Sequence, residues 1–185
     1  MRKLAVTENI TLDGVIDASE GWFSPADDDD VDQSDMIDAL QEQQRNADAV
    51  LFGRVTFEEM RGYWPHQTDD ETGVTDYLNA VNKYVVSTTM TDPEWERTTI
   101  LSGDLADEIG RLKEEPGKDI VATGSIRLVH SLIAAGLVDE YRLFIYPVVV
   151  GKGARLFEDA RNVPRLALVE SQAFRSGVVL SRYSA

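Results

Sequence analysis

The sequence predicts an α/β fold: a mixed, mainly parallel sheet with helices on both faces and an antiparallel hairpin at the C-terminus. Three observations predict it. Strand-like and helix-like segments alternate from Leu4 to Ala135, which calls for parallel strands joined by crossover helices. The last third is strand-only, and Leu166–Phe174 and Val178–Tyr183 flank Ser176-Gly177 as the arms of a hairpin do. The chain has 185 residues, 43% of them hydrophobic, which is enough to enclose one core in one domain over 1–185.

Each element follows from local pattern. Leu4–Thr11 mixes β-branched and polar residues and runs into the turn Thr11-Leu12-Asp13-Gly14. A loop containing Gly21-Trp22-Phe23-Ser24-Pro25 follows, and its aromatics either cover a site or close over the core. Met36, Ile37 and Leu40 have helical spacing within Val31–Ala47, and Asp48 separates that helix from a short buried strand, Ala49–Phe52, closed by Gly53. Arg54–Arg61 reads as a short helix ended by Gly62, and Asp69–Val81 contains a weaker one. Lys83–Ser87 and Thr98–Leu101 are strands. Leu105, Ile109 and Leu112 mark a helix stopped before Pro116-Gly117. Ile120–Ala122 is the next strand, and Ser125–Ala135 a helix with Ser125 placed to cap it and Gly136 placed to end it. Tyr141–Val150 is a β-rich run that Pro147 must bend or break.

Composition excludes several functions. No window approaches the roughly 20 apolar residues of a membrane span, and the apolar stretch after Arg2-Lys3 breaks at Glu8, too soon for a secretory signal. The expected location is the cytoplasm. The absence of cysteine removes disulfides, thiolate nucleophiles and Cys-based metal sites. His66 and His130 lack ligand-like spacing, so no metal site is expected. The acidic run Asp27–Asp30 fails as a calcium loop, since counting from Asp27 puts Asp32 where a glycine is required and Asp38 where a glutamate is. A net charge of −15 argues against nucleic acid, whose phosphates need Lys and Arg.

That charge also means an anionic ligand needs a dedicated pocket. Three strand ends offer one: Phe52-Gly53-Arg54-Val55-Thr56, Val86-Ser87-Thr88-Thr89 and Ala122-Thr123-Gly124-Ser125. In open α/β sheets ligands sit beyond the carboxyl ends of the strands, where glycine admits a phosphate to the backbone and helix starts supply N–H groups. Arg54 adds a permanent charge with a fork suited to phosphate.

These blocks, with Thr11-Leu12-Asp13-Gly14, Trp64-Pro65, Lys83–Ser87, Leu128-Val129, Gly136–Leu143, Pro147–Gly153 and Leu156-Phe157, are similar in order and spacing to the dihydrofolate-reductase-like proteins related to the reductase domain of bacterial riboflavin biosynthesis. The resemblance covers nearly the whole chain. It implies the dihydrofolate-reductase-like fold, NADPH as cofactor, a small heterocyclic or carbonyl substrate and a homodimer formed through the C-terminal antiparallel strands. It also implies roles. Gly53, Arg54 and Thr56 would meet the cofactor phosphates, Ser87 and Thr88 the adenosine phosphate end, and Gly124 and Ser125 the pyrophosphate. Leu128 joins them among the cofactor-binding residues, with Gly14 near the nicotinamide and Asp13 near the substrate. Asp13 is the first candidate for a proton donor, with Asp32 and Asp35 in a place like that of the folate-reductase acid. The chain departs from the riboflavin enzymes where they carry an acidic residue before Gly-Gly, so the substrate stays open. The alternative is a non-catalytic NADP-binding sensor or interaction protein on the same fold.

Overall fold

The computed structural model describes residues 1–19, 21–23, 31–68, 70, 72–158 and 163–185. The acidic run Asp27–Asp30 lies outside them. The described residues form β1 (Leu4–Thr11), α1 (Ser34–Arg45), β2 (Ala47–Gly53), α2 (Arg54–Tyr63), α3 (Val74–Ala80), β3 (Asn82–Val86), β4 (Thr98–Leu101), α4 (Leu105–Glu114), β5 (Asp119–Ala122), α5 (Ile126–Ala134), β6 (Glu140–Tyr146), β7 (Ala167–Ala173) and β8 (Val179–Ser184). The strands make one sheet in the order β4-β3-β2-β5-β1-β6-β8-β7. Pairings from β4 to β6 are parallel, whereas β8 runs antiparallel to both β6 and β7.

Period-two alternation distributes side chains to the two faces. Ala49 and Leu51 of β2 join Ile109 and Leu112 of α4 and Leu128, Val129, Leu132 and Ile133 of α5 on one face. Val50 and Phe52 point the other way, onto Phe57 of α2 and Leu78 of α3. Farther along that second face, Met36 and Ala39 of α1 pack on the cluster of Phe144, Phe174 and Leu180. The predicted helices on both faces and the terminal hairpin are present.

Several boundaries differ from expectation, for physical reasons. Ala47 belongs to β2 and not to the first helix, and Asp48 lies inside the strand, at a register shift opposite β5. The Asp48 carboxylate is held by the Arg2 guanidinium and the Lys118 N–H, so a residue that reads as a separator is a ladder irregularity with long-range partners. Gly62 does not end α2, which runs to Tyr63 before a 3-10 turn over Trp64–His66 that holds Pro65. The β-rich run stops at Tyr146, since Pro147 cannot donate to the ladder. Gly136 terminates α5 as predicted, with φ of +66°.

Candidate functional site

β2 and β5 are parallel neighbours, and each delivers the chain at its carboxyl end into a helix: Gly53 into α2, and Thr123-Gly124-Ser125 into α5. Two hydrogen bonds tie these helix starts together. The Ser125 Oγ accepts the Gly53 N–H at 2.9 Å, and the Thr56 Oγ1 accepts the Ser125 N–H at 3.0 Å. The predicted cap at Ser125 is therefore not made, because its hydroxyl turns across to β2 rather than back onto its own helix. Gly53 has no side chain to cap α2 either. The leading N–H groups of both helices lack side-chain acceptors, and two positive dipole ends converge on one spot.

The turn is conformationally strained. Gly124 has φ of +59°, and a Cβ there would come within 3.0 Å of Thr56 Cγ2. Ser125 holds φ of +41°, which costs a non-glycine residue about 1–2 kcal/mol. Such a conformation persists when its surroundings over-determine it. Gly53 is less constrained: a Cβ there would touch Ser125 and Leu128 at 3.7–3.8 Å, ordinary contact. Leu128 is buried and forms an apolar floor beside this junction.

The remaining predicted residues fall at graded distances from it. Arg54, in the first turn of α2, has a half-exposed side chain whose ion pair with Glu58 is long, 4.0 Å, so its guanidinium stays accessible. Ser87 follows β3, whose Val86 pairs with Gly53. Its buried Oγ accepts the N–H groups of Thr89 and Met90 and can still donate its own proton, while Thr88 is exposed. Asp13 and Gly14 lie past the end of β1, on the same edge of the sheet but beyond β5. Gly14, with φ of +83°, donates to the Thr11 carbonyl and accepts from the Leu156 N–H.

The proton-donor role expected of Asp13 does not fit its surroundings. Its carboxylate accepts the Thr11 hydroxyl at 2.6 Å, the Gly151 N–H at 2.8 Å and the Val150 N–H at 3.3 Å, which hold it down at about 2. It staples the turn after β1 to the segment after β6 and is ionised at neutral pH. Asp32 and Asp35 are likewise held below the usual carboxylate range: Asp32 first by the Ser34 N–H, Asp35 first by the Arg175 N–H, and both by the Arg175 guanidinium.

Beyond β1 and β6 stands an aromatic wall. Tyr146, the register partner of Thr11, meets Trp22 and Phe23 edge-on at centroid distances of 5.6 and 5.5 Å. The Trp22 indole N–H is fixed on the Asp17 carbonyl at 2.7 Å. Burial pushes the Tyr146 hydroxyl up to about 12. No group of three or more His, Asp or Glu among the described residues could hold a metal ion.

One residue at this junction escaped the pattern reading. Glu8 lies in β1 with Leu4, Val6 and Ile10 on the α5 face, only 5% exposed. Val6 pairs with Ala122, which sets Glu8 level with Gly124 across the β1–β5 ladder, and its buried Oε1 has no partner among the described residues. The available signal was an acidic residue standing in an otherwise apolar alternate row.

A family model, the RibD C-terminal domain, matches residues 2–180. The Bacillus subtilis (strain 168) proteins YyaP and YwjB, both uncharacterized, are 32% and 26% identical to this chain. The YyaP match covers 96% of this chain and 92% of YyaP, and the YwjB match 97% and 96%. Among solved structures, a putative riboflavin biosynthesis protein from Shewanella sp. PV-4 superposes with a TM-score of 0.70 at 18% identity, covering 98% of both chains. A pyrimidine reductase-like protein from Corynebacterium diphtheriae gives 0.66 at 17% identity over 99% of this chain and 91% of that one. A Thermotoga maritima diaminohydroxyphosphoribosylaminopyrimidine deaminase/5-amino-6-(5-phosphoribosylamino)uracil reductase gives 0.67 at 16% identity over 99% of this chain and 56% of that one. These likenesses establish the fold.

Proposed function

The chain belongs to the RibD C-terminal domain family, and on that footing we propose that it is an NADPH-dependent reductase delivering hydride to a small heterocyclic or carbonyl compound. The observation that carries this reading is the junction at Gly53 and Ser125, where two helix starts without side-chain caps meet beside an accessible Arg54. In a molecule of net charge −15, a concentration of unanswered N–H donors and one guanidinium suits the pyrophosphate of a dinucleotide.

The donor set fits that group. The starts of α2 and α5, with Arg54, hold the phosphates, and Gly124 gives them close approach to the backbone. Ser87 and Thr88 take the adenosine end, Leu128 supports the site from below, and Gly14 lies towards the nicotinamide. The cofactor supplies the hydride, and the protein's part is position and a dry pocket. The wall of Trp22, Phe23 and Tyr146 excludes water from the substrate side. With Asp13, Asp32 and Asp35 ionised, the proton that completes reduction comes from water at the mouth of the site.

The same ionised carboxylates favour a second reading, a non-catalytic NADP-binding sensor or interaction protein. Two measurements separate these. Calorimetric titration with NADPH should show binding by the wild type and at least about tenfold weaker binding by Arg54→Ala, as expected for losing a charge-assisted hydrogen bond. Absence of binding, or equal binding by both proteins, sinks the dinucleotide reading. Cofactor oxidation with any member of a panel of C=N and C=O compounds then excludes the sensor.

Two copies, we further propose, pair through the C-terminal strands. Leu168 and Val169 of β7, the outermost strand, are 60% and 54% exposed, and a bare strand edge is a template for pairing. Sedimentation showing only monomer would remove this. No helix among the described residues is long and apolar enough to cross a membrane, and the proposed site of action is the cytoplasm.

A further inference from the structure

We propose that Glu8 is a positioning residue for the dinucleotide site: its carboxyl braces the Thr123–Ser125 turn from beneath through the Gly124 N–H, and so governs how the start of α5 is presented to the cofactor's phosphates. This inference rests on the dinucleotide reading above. Three observations carry it. Glu8 stands in the central strand level with Gly124, on the face that α5 covers. It is one of few ionisable groups buried among apolar neighbours, and its Oε1 has no protein partner. The turn it touches is held in the left-handed region at both Gly124 and Ser125. Thr56 grips that turn at the Ser125 N–H, and Gly53 grips it at the Ser125 hydroxyl. Register sets Glu8 beneath that turn, and the Gly124 N–H is the backbone group that acts on its carboxyl.

Burial pushes the Glu8 carboxyl well above the ordinary range, and the Gly124 N–H only partly opposes this. Among the described residues, no charged group pairs with it. On α5, Arg127 is exposed and His130 bonds the Arg155 carbonyl. Arg155 itself turns to Asp13, and Asp17 accepts the Ser19 N–H. Asp119 of β5 and Glu140 of β6 are at the opposite strand ends, and Arg142, the register partner of Thr7, lies on the other face of β6 and pairs with both of them. A neutral carboxyl can support the turn without repelling phosphate, whereas an ionised one places a poorly screened negative charge directly under it.

The test is dinucleotide affinity by calorimetry between about pH 5 and about pH 9, with thermal stability measured alongside. Wild-type affinity should fall as pH rises. Glu8→Gln, which keeps an acceptor for the Gly124 N–H, should bind within about threefold of the low-pH wild type and lose the pH dependence. Glu8→Leu should fold and bind about tenfold or more weakly, because the Gly124 N–H loses its acceptor. Because the folded-state pKa is raised, wild-type stability should also decline with rising pH, and Glu8→Gln should remove that decline. In the unliganded wild type, the Gly124 amide resonance should titrate with Glu8. Equal affinities and superimposable pH profiles in all three proteins, or a Gly124 amide that does not titrate, overturn the inference and leave the cofactor reading intact. A wild type that binds no dinucleotide overturns both.

Discussion

The two ends of the sheet treat their polar groups in opposite ways. At the amino end, carboxylates and guanidiniums answer one another, though Arg142 Nη1 is buried without a partner among the described residues. Glu140, with its side chain 1% exposed, accepts Arg142 Nε at 2.7 Å, Arg182 Nη2 at 2.9 Å and Lys3 Nζ at 3.3 Å. Arg142 continues to Asp119, Arg182 to Glu170, and Arg2 holds Asp48. At the carboxyl end, Arg175 answers Asp32 and Asp35 beyond β6, but at the β2–β5 junction Arg54 makes one long ion pair, and two helix starts lack side-chain caps. A charge network that closes on itself stabilises a fold, whereas donors left over at a strand edge are matched to something outside it.

The sharpest way to break this contrast is at Glu140. Glu140→Ala leaves Arg142 and Arg182 without their shared counter-ion, and removing one partner of a buried pair costs about 3–5 kcal/mol. Denaturant unfolding should show that loss. Dinucleotide affinity, measured well below the melting temperature, should hold. If affinity falls with stability, the two ends are not independent.

The same residue gives the amino end a pH signature. Arg142 and Arg182, by hydrogen bond and charge, hold Glu140 down at about 2 against the desolvation that would raise it. A depressed carboxyl contributes stability that is present above its unfolded pKa and is lost as pH falls through the folded value. Between about pH 4.5 and about pH 2 the wild type should lose on the order of 3 kcal/mol through this group. Glu140→Gln should flatten that part of the curve while starting from a lower stability.

At the carboxyl end the comparison sharpens between two glycines. Gly124→Ala forces a side chain into φ of +59° and against Thr56, so about 1–2 kcal/mol of stability should go, with weaker dinucleotide binding. Gly53→Ala meets only ordinary contacts and should change stability by about 0.5 kcal/mol or less. Thermal melts of the pair decide this, and equal losses would show that the Gly124 turn is not the strained element.

This difference also marks how far the sequence could be read. Alternation and turn residues revealed the elements, and small or hydroxyl residues at Gly53, Ser87 and Gly124 marked the carboxyl edge of the sheet where the proposed site lies, because both signals are local. What the residues do to one another there was hidden. Ser125 reads as the cap of its own helix, yet its hydroxyl accepts an N–H 72 positions away, and Thr56 reaches 69 positions to Ser125. Asp48 reads as punctuation until Arg2 is seen beside it. Glu8 reads as one more polar residue in a strand until β5 sets Gly124 at its level. Acidity was the least legible property, since it depends on which N–H groups surround a carboxyl, and no local pattern records that.

Asp13 provides the smallest and most discriminating expectation. In the turn after β1 it reads as a candidate acid, but the Thr11 hydroxyl and the N–H groups of Gly151 and Val150 keep it ionised down to about pH 2. Asparagine keeps one oxygen, which can accept from the Gly151 N–H, but its NH2 then meets the Thr11 hydroxyl and the Val150 N–H, and the 3.8 Å contact with Arg155 loses its charge. Asp13→Asn should therefore lower the melting temperature modestly in the same melts. Turnover should drop as the turn loosens, but the shape of its pH profile should match the wild type between about pH 5 and about pH 8, where Asp13 carries no proton to give. A limb of the profile that vanishes in Asp13→Asn would return this carboxylate to the chemistry, and the carboxyl end would then hold a catalytic acid as well as a cradle of donors.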